Sequence, residues 1–256
     1  MQRVSAPDIA RVTGALRVTS CGKALSLAVE RLSVRLRMAL VPYDGGSVAA
    51  LAKLHQPCAQ FRLAGRSLRI SQDWSRLGVA AVVWDAAVVL CMYLELGHMP
   101  LQGVRAIELG AGTGLVGIVA ALLGAQVTIT DRQPAMGLLR SNVVANLPPD
   151  LQGAATVSEL TWGEGLHRYE AGGYELVLGA DIVYLEETFP ALLATLEHLG
   201  AARGVVLLSC RLRYERDHAF LGLLRHRFSV TEVFHDAPTD VRVYRAERRG
   251  RAEPEL

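Results

Sequence analysis

Hydrophobic and polar positions along this chain change period from block to block. Residues 61–73 alternate, with Phe61, Leu63, Leu68 and Ile70 apolar and Arg62, Arg66 and Arg69 between them. Ala64-Gly65-Arg66 breaks the alternation with a turn, so 59–73 predicts a β-hairpin. Residues 78–96 are almost wholly apolar, and 83–95 predicts a buried helix ending near Gly97. From Val104 onward, short apolar runs alternate with longer ones at helical spacing. Strands are predicted at 104–109, 127–130, 155–160, 175–179 and 204–209. Helices are predicted at 114–123, 133–146, 188–199 and 214–227; Gly124 closes the first and Pro134 opens the second. Such alternation predicts a doubly wound, mostly parallel α/β sheet. Two last runs, 228–234 and 240–246, are separated only by a turn at Asp236-Ala237-Pro238-Thr239, which predicts an antiparallel hairpin at one sheet edge and seven strands in all.

The first strand of the alternation runs into Gly110-Ala111-Gly112-Thr113-Gly114. Glycines there let the backbone take positive φ and approach a ligand, while the N–H groups of the helix start face it. Gly112, Gly114 and Gly117 also fit the G-x-G-x-x-G dinucleotide pattern, and Asp131, ending the next strand, is placed to accept ribose hydroxyls. Nicotinamide cofactors and S-adenosylmethionine both carry that ribose, so the turn leaves the two open.

Composition removes several chemistries. Lysine occurs twice, at Lys23 and Lys53, so the sheet region holds no Walker A lysine, Schiff-base lysine or Tyr-x-x-x-Lys pair. The last absence weighs against a nicotinamide dehydrogenase. Cys21, Cys58, Cys91 and Cys210 are scattered without a C-x-x-C or H-E-x-x-H motif, so no metal site is expected and a reducing, cytoplasmic compartment is. No run is long enough to span a membrane. Residues 1–37 hold seven Lys/Arg against two Asp/Glu, while the rest holds 20 against 23 and offers no overall basic field to nucleic acid. Segment 1–37 is Arg-rich and acid-poor, weakly like a mitochondrial transit peptide; the simpler reading is a disordered extension ahead of a second start at Met38. The domain itself is expected to span 38–256 as a monomer.

Specific motifs now narrow the choice. Glu108-Leu-Gly-Ala-Gly-Thr-Gly114 resembles motif I of the seven-strand S-adenosylmethionine-dependent (class I, Rossmann-like) methyltransferases. Asp181-Ile-Val-Tyr184 resembles the Asp/Glu-x-x-Tyr/Phe signature of their protein-lysine branch. Gln72-Asp73-Trp74 and Gly78-Val-Ala-Ala-Val-Val-Trp84-Asp85 resemble the segment before the core in methyltransferase-like family 21. The runs 178–187 and 211–217 are nearest to the branch of that family acting on heat-shock protein 70 chaperones. The resemblance covers residues 38 to about 249. It implies a protein-lysine N-methyltransferase with S-adenosylmethionine as cofactor and those chaperones as substrate. It also implies cofactor-binding positions at Glu108, Gly110, Ala111 and Gly112, at Asp131 for the ribose, and at Trp84, Trp162 and Ala180. By residue type alone the two tryptophans read as core.

Asp181 and Tyr184 are the expected catalytic residues. A lysine ammonium has no lone pair and an ordinary pKa of about 10.4, so transfer needs the neutral amine. Desolvation in a narrow channel lowers that pKa, and a carboxylate at a strand end can orient the nitrogen by its remaining N–H groups. By residue type alone Asp181 is a turn or cap residue and Tyr184 a packed aromatic. The Asn-Pro-Pro-Tyr motif of amide and adenine methyltransferases is missing at this point. Arg211, Arg213, Glu186 and Glu187 lie at loop ends where solvated charges are usual, and the histidines show no ligand spacing.

Overall fold

The computed structural model describes residues 55–249, so expectations for 1–37 lie outside the described residues. The hairpin forms from β1 (Cys58–Leu63) and β2 (Arg66–Ser71). Ala64 and Gly65 between them have φ of 50° and 67°, the two-residue turn that suits strand twist. A short helix, α1 (Trp74–Leu77), and one turn of 3-10 helix (Gly78–Ala81) follow, and the alternation analysis does not anticipate either. Helix α2 (Asp85–Glu95) then begins two residues later than expected. Trp84 is therefore the residue ahead of the helix, with extended backbone, and Asp85 supplies the negative charge a helix start favours.

The main sheet contains β3 (Arg105–Leu109), β4 (Gln126–Asp131), β5 (Ala155–Glu159), β6 (Tyr174–Ala180), β7 (Gly200–Cys210), β8 (Phe228–Asp236) and β9 (Val241–Arg248). Their order is β5-β4-β3-β6-β7-β9-β8. The pairs among β3–β7 are parallel, whereas β9 runs antiparallel to both β7 and β8. The connecting helices are α3 (Leu115–Leu122), α4 (Met136–Asn146), α5 (Phe189–Leu199) and α6 (Glu215–Arg227). Successive residues of the central strands face opposite layers, as strand geometry requires. Ala106, Leu176, Leu178, Val205 and Leu207 join one core with residues of α2, α3 and α4. Ile107, Leu109, Val177, Val206 and Leu208 join the other with α5 and α6. The chain goes from β3 outward to β4 and β5, then crosses back to β6 on the other side of β3. That reversal opens a crevice beyond the carboxyl ends of β3 and β6, where open α/β sheets take ligands.

Among the described residues no single helix is long and apolar enough to cross a membrane.

Candidate active site

The turn after β3 is held open by its backbone. Gly110 and Gly112 have φ of 60° and 56°, and each is also sterically confined. A Cβ on Gly112 would stand 2.8 Å from the Ala80 carbonyl, and one on Gly110 would stand 2.9 Å from Ile182 Cγ2 and 3.2 Å from Trp162 Cζ2. The 3-10 turn before α2 therefore covers one side of the loop, and the Ile182 and Trp162 side chains cover the other. Gly110, Ala111 and Gly112 stay partly exposed, so no side chain plugs the loop.

Two buried acids fasten this loop. Glu108 accepts the Gly117 N–H at 2.8 Å, clamping α3 to β3. Burial pushes its carboxyl up to about 8; the Gly117 hydrogen bond opposes the rise and the charge of Asp131 adds to it. Asp131 accepts the Gly112 N–H on Oδ2 and the Arg132 N–H on Oδ1, both at 2.7 Å. Burial raises its pKa as well, against those two hydrogen bonds and the nearby Arg132 charge.

The other half of the crevice comes from β6. Asp181 follows that strand with φ of 54°, left-handed backbone that an aspartate tolerates better than most residues. Its N–H is held by the Ser209 carbonyl at 2.8 Å. Its carboxylate, half-buried, accepts no hydrogen bond from the described residues. Burial raises its pKa; Arg213 opposes this most, while Asp217 and Asp85 add to it. Asp181 caps no helix. Ile182 and Val183 are buried, which explains the signature: its two middle residues pin the loop to the core beside Gly110 and leave Asp181 and Tyr184 at the ends. Tyr184 is 38% exposed at the rim. Burial of the rest raises its hydroxyl pKa, the Arg132 charge opposes this, and Asp131 and Asp181 both contribute.

The remaining expected positions converge on the same crevice. Trp84 donates its indole N–H to the Val79 carbonyl at 2.9 Å, tying it to the segment over Gly112. Trp162 lies against Gly110, and Ala180 ends β6. Both tryptophans are half-buried, and Trp162 also packs against the core beneath α5 and α6. Arg213 is exposed and its N–H bonds Asp217 Oδ2 at 2.8 Å. Among the described residues no group of three His, Cys, Asp or Glu could hold a metal ion.

Two positioning residues are not foreseen by motif reading. Asn142 on α4 accepts the Ser71 N–H at 2.9 Å and donates to the carbonyls of Ser71 and Thr113, both at 3.0 Å, so one buried side chain joins hairpin and glycine turn. Ser209 donates to the Ala86 carbonyl at 2.8 Å while its own carbonyl holds Asp181, joining α2 to the acceptor loop. Asn142 falls within a predicted helix and Ser209 ends a predicted strand, and their polarity inside apolar patterns is the only signal the sequence offers.

The chain resembles known proteins along nearly all of this domain. It is 68% identical to the protein N-lysine methyltransferase METTL21A of Danio rerio over 209 residues, 82% of this chain and 96% of that one. It is 57% identical to the Mus musculus protein of the same name, over 84% of this chain and 99% of that one. The glycopeptide N-methyltransferase MtfA, solved with S-adenosylmethionine, superposes with a TM-score of 0.51 at 17% identity, over 64% of this chain and 95% of that one, which shows the shared fold. Residues 62–227 match the lysine methyltransferase family. Glycine turn, strand-end acids and sheet order thus sit in a chain that belongs to the lysine methyltransferase family.

Proposed function

We propose that this chain is an S-adenosylmethionine-dependent protein-lysine N-methyltransferase whose substrates are heat-shock protein 70 chaperones. The observation that carries the reading is the pair of unlike carboxylates on either side of β3. Asp131 is held by one backbone N–H on each oxygen beside the glycine turn, and Asp181, beyond the next strand, accepts no hydrogen bond from the described residues. Family membership and the names of the close relatives support the protein-lysine part. The chaperone part rests on the likeness of runs 178–187 and 211–217 to that branch of methyltransferase-like family 21. The free thiols of Cys58, Cys91 and Cys210 suit a cytoplasmic setting.

The residues present fit the cofactor. Each oxygen of a carboxylate accepts through two lone pairs, so Asp131 keeps one acceptor per oxygen for the two hydroxyls of a ribose. The partly exposed backbone of Gly110, Ala111 and Gly112 would hold the methionine end, with Glu108 beneath it. Trp84, Trp162 and Ala180 wall the remainder. S-adenosylmethionine, when bound, supplies a methyl group activated by a sulfonium. The chain's own task is to deliver an uncharged amine in line with it. Asp181 accepts N–H bonds from the entering lysine nitrogen and fixes its direction. Burial that raises the Asp181 pKa also disfavours an ammonium in the same channel, and the proton leaves to water. Tyr184 forms the rim through which the side chain enters.

Mass spectrometry of a lysate incubated with the recombinant enzyme and cofactor tests this. The expected result is methylated lysine on heat-shock protein 70 chaperones. Modification confined to small molecules overturns the protein reading, and modification of other proteins alone overturns the chaperone reading.

A further inference from the structure

The hairpin ahead of the sheet presents a face that the methyl-transfer site does not use. Register pairs Leu63 with Arg66, Phe61 with Leu68 and Ala59 with Ile70, and this side packs inward through buried Leu63, Leu68 and Ile70. The opposite side carries Gln60, Arg62, Ser67 and Arg69, all exposed; Arg66, also exposed, follows the turn in register with Leu63. Gln60, Arg62, Ser67 and Arg69, with Phe61 and Leu68, line a shallow groove of about 360 Å³. Arg62 faces Ser67 and Arg69 faces Gln60, so the two guanidinium-bearing residues are diagonal neighbours, about 7–8 Å apart at the backbone.

Charge on this face is unbalanced. No Asp or Glu occurs in residues 58–71, nor in 132–149, which include the helix packed beside β2. Arg62, Arg66 and Arg69 make no ion pair with any described residue, whereas Arg76, Arg105, Arg242 and Arg245 each meet a carboxylate. Glu95 reaches the turn, but its Oε1 accepts the Ala64 N–H at 2.7 Å.

The face also has a fixed relation to the active site. Ser71, at the root of β2, is bound to Asn142, which is bound to Thr113 of the glycine turn. At about 3.3 Å per residue, Arg69 and Ser67 lie roughly 7 and 13 Å along the strand from that root. The arginine face is thus tied through one buried side chain to the turn that borders the crevice.

We propose that the outward face of the β1–β2 hairpin, built on Arg62 and Arg69 with exposed Arg66 at its turn end, docks an acidic segment of the protein substrate while its target lysine lies at Asp181. This rests on the protein-lysine reading and adds the chemistry by which the substrate is chosen. Rim charges of this kind act on encounter and register, and they weaken with salt.

The test compares the wild type with the triple variant R62Q/R66Q/R69Q, whose substitutions leave the Arg69 main-chain bonds to Asn146 in place. Initial methylation rates are measured with labelled cofactor on purified heat-shock protein 70 and, separately, on total lysate protein, at low and high salt. The expected result is a KM for protein raised roughly tenfold at low salt, with kcat and S-adenosylhomocysteine affinity unchanged and with a flatter salt dependence. Equal KM values for variant and wild type overturn the proposal. So does loss of single-stranded RNA binding by a variant whose KM for protein is that of the wild type, which makes the face a nucleic-acid surface. Labelling of lysate protein but not of purified chaperone removes the chaperone reading alone, and the lysate rates then decide this one.

Discussion

The ends of β4 and β6 each carry an aspartate, and the two are treated in opposite ways. Asp131 is fixed by two backbone N–H groups at 2.7 Å, and the turn it holds is pinned again by Glu108 and Asn142. Asp181 has left-handed backbone, a carboxylate that accepts no hydrogen bond from the described residues, and surrounding charges of both signs. One strand end is finished before any ligand arrives; the other is left with unmet electrostatic demand. This is the division expected where one reactant is always the same small molecule and the other is a cation that must be steered and stripped of water.

The largest effect expected from breaking this contrast is at Asp181. Asp181→Asn keeps a residue that tolerates the φ of 54° and removes the charge. It should lower kcat/KM by about 10²–10³-fold, the scale of losing one preorganised electrostatic contact, with S-adenosylhomocysteine affinity intact. Turnover like that of the wild type in single-turnover assays removes Asp181 from the mechanism. Glu108→Gln tests the finished side through pH. The folded carboxyl is raised to about 8 from an ordinary 4.5, so the folded state binds more protons across that window. Stability of the wild type without ligand therefore falls as pH rises from about 4.5 to 8, by an amount on the order of 5 kcal/mol. Glutamine still accepts the Gly117 N–H and should flatten the curve; urea midpoints measured at pH values across the window report it.

Asp131→Ala should weaken cofactor binding by roughly 1.5–3 kcal/mol, the cost of losing a charged acceptor, and an unchanged calorimetric Kd refutes a ribose contact. Ser209→Ala should have the smallest effect, about 1 kcal/mol of stability from one hydroxyl, read as a shift in urea midpoint. If instead it lowers turnover as far as Asp181→Asn does, the acceptor loop is less independent of α2 than the contrast implies.

Much of this was legible in the chain because period and punctuation are local. The hairpin, the five parallel strands and the final antiparallel pair follow from apolar spacing and turn residues. The strand-end acids could be picked out because a short apolar run must stop somewhere and the stopping residue faces the crevice. Element starts were less legible: Trp84 reads as helical because it adjoins an apolar run, yet Asp85 is where the helix begins. The segment of α1 and the 3-10 turn gave no periodic signal at all. Asn142 and Ser209 were hidden for a different reason: their partners lie 71 and 123 residues away, at Ser71 and Ala86. No window along the chain contains both members of such a pair.

The Asn142 bridge has a consequence for where the catalytic unit starts. Removing the chain up to residue 71 would strip two of the three partners from a side chain that is fully enclosed, and would leave its bond to Thr113 of the glycine turn without support from the other side. The hairpin is therefore a structural member of the enzyme rather than a detachable leader, and a shortened chain that lacks it should lose cofactor affinity before it loses its sheet.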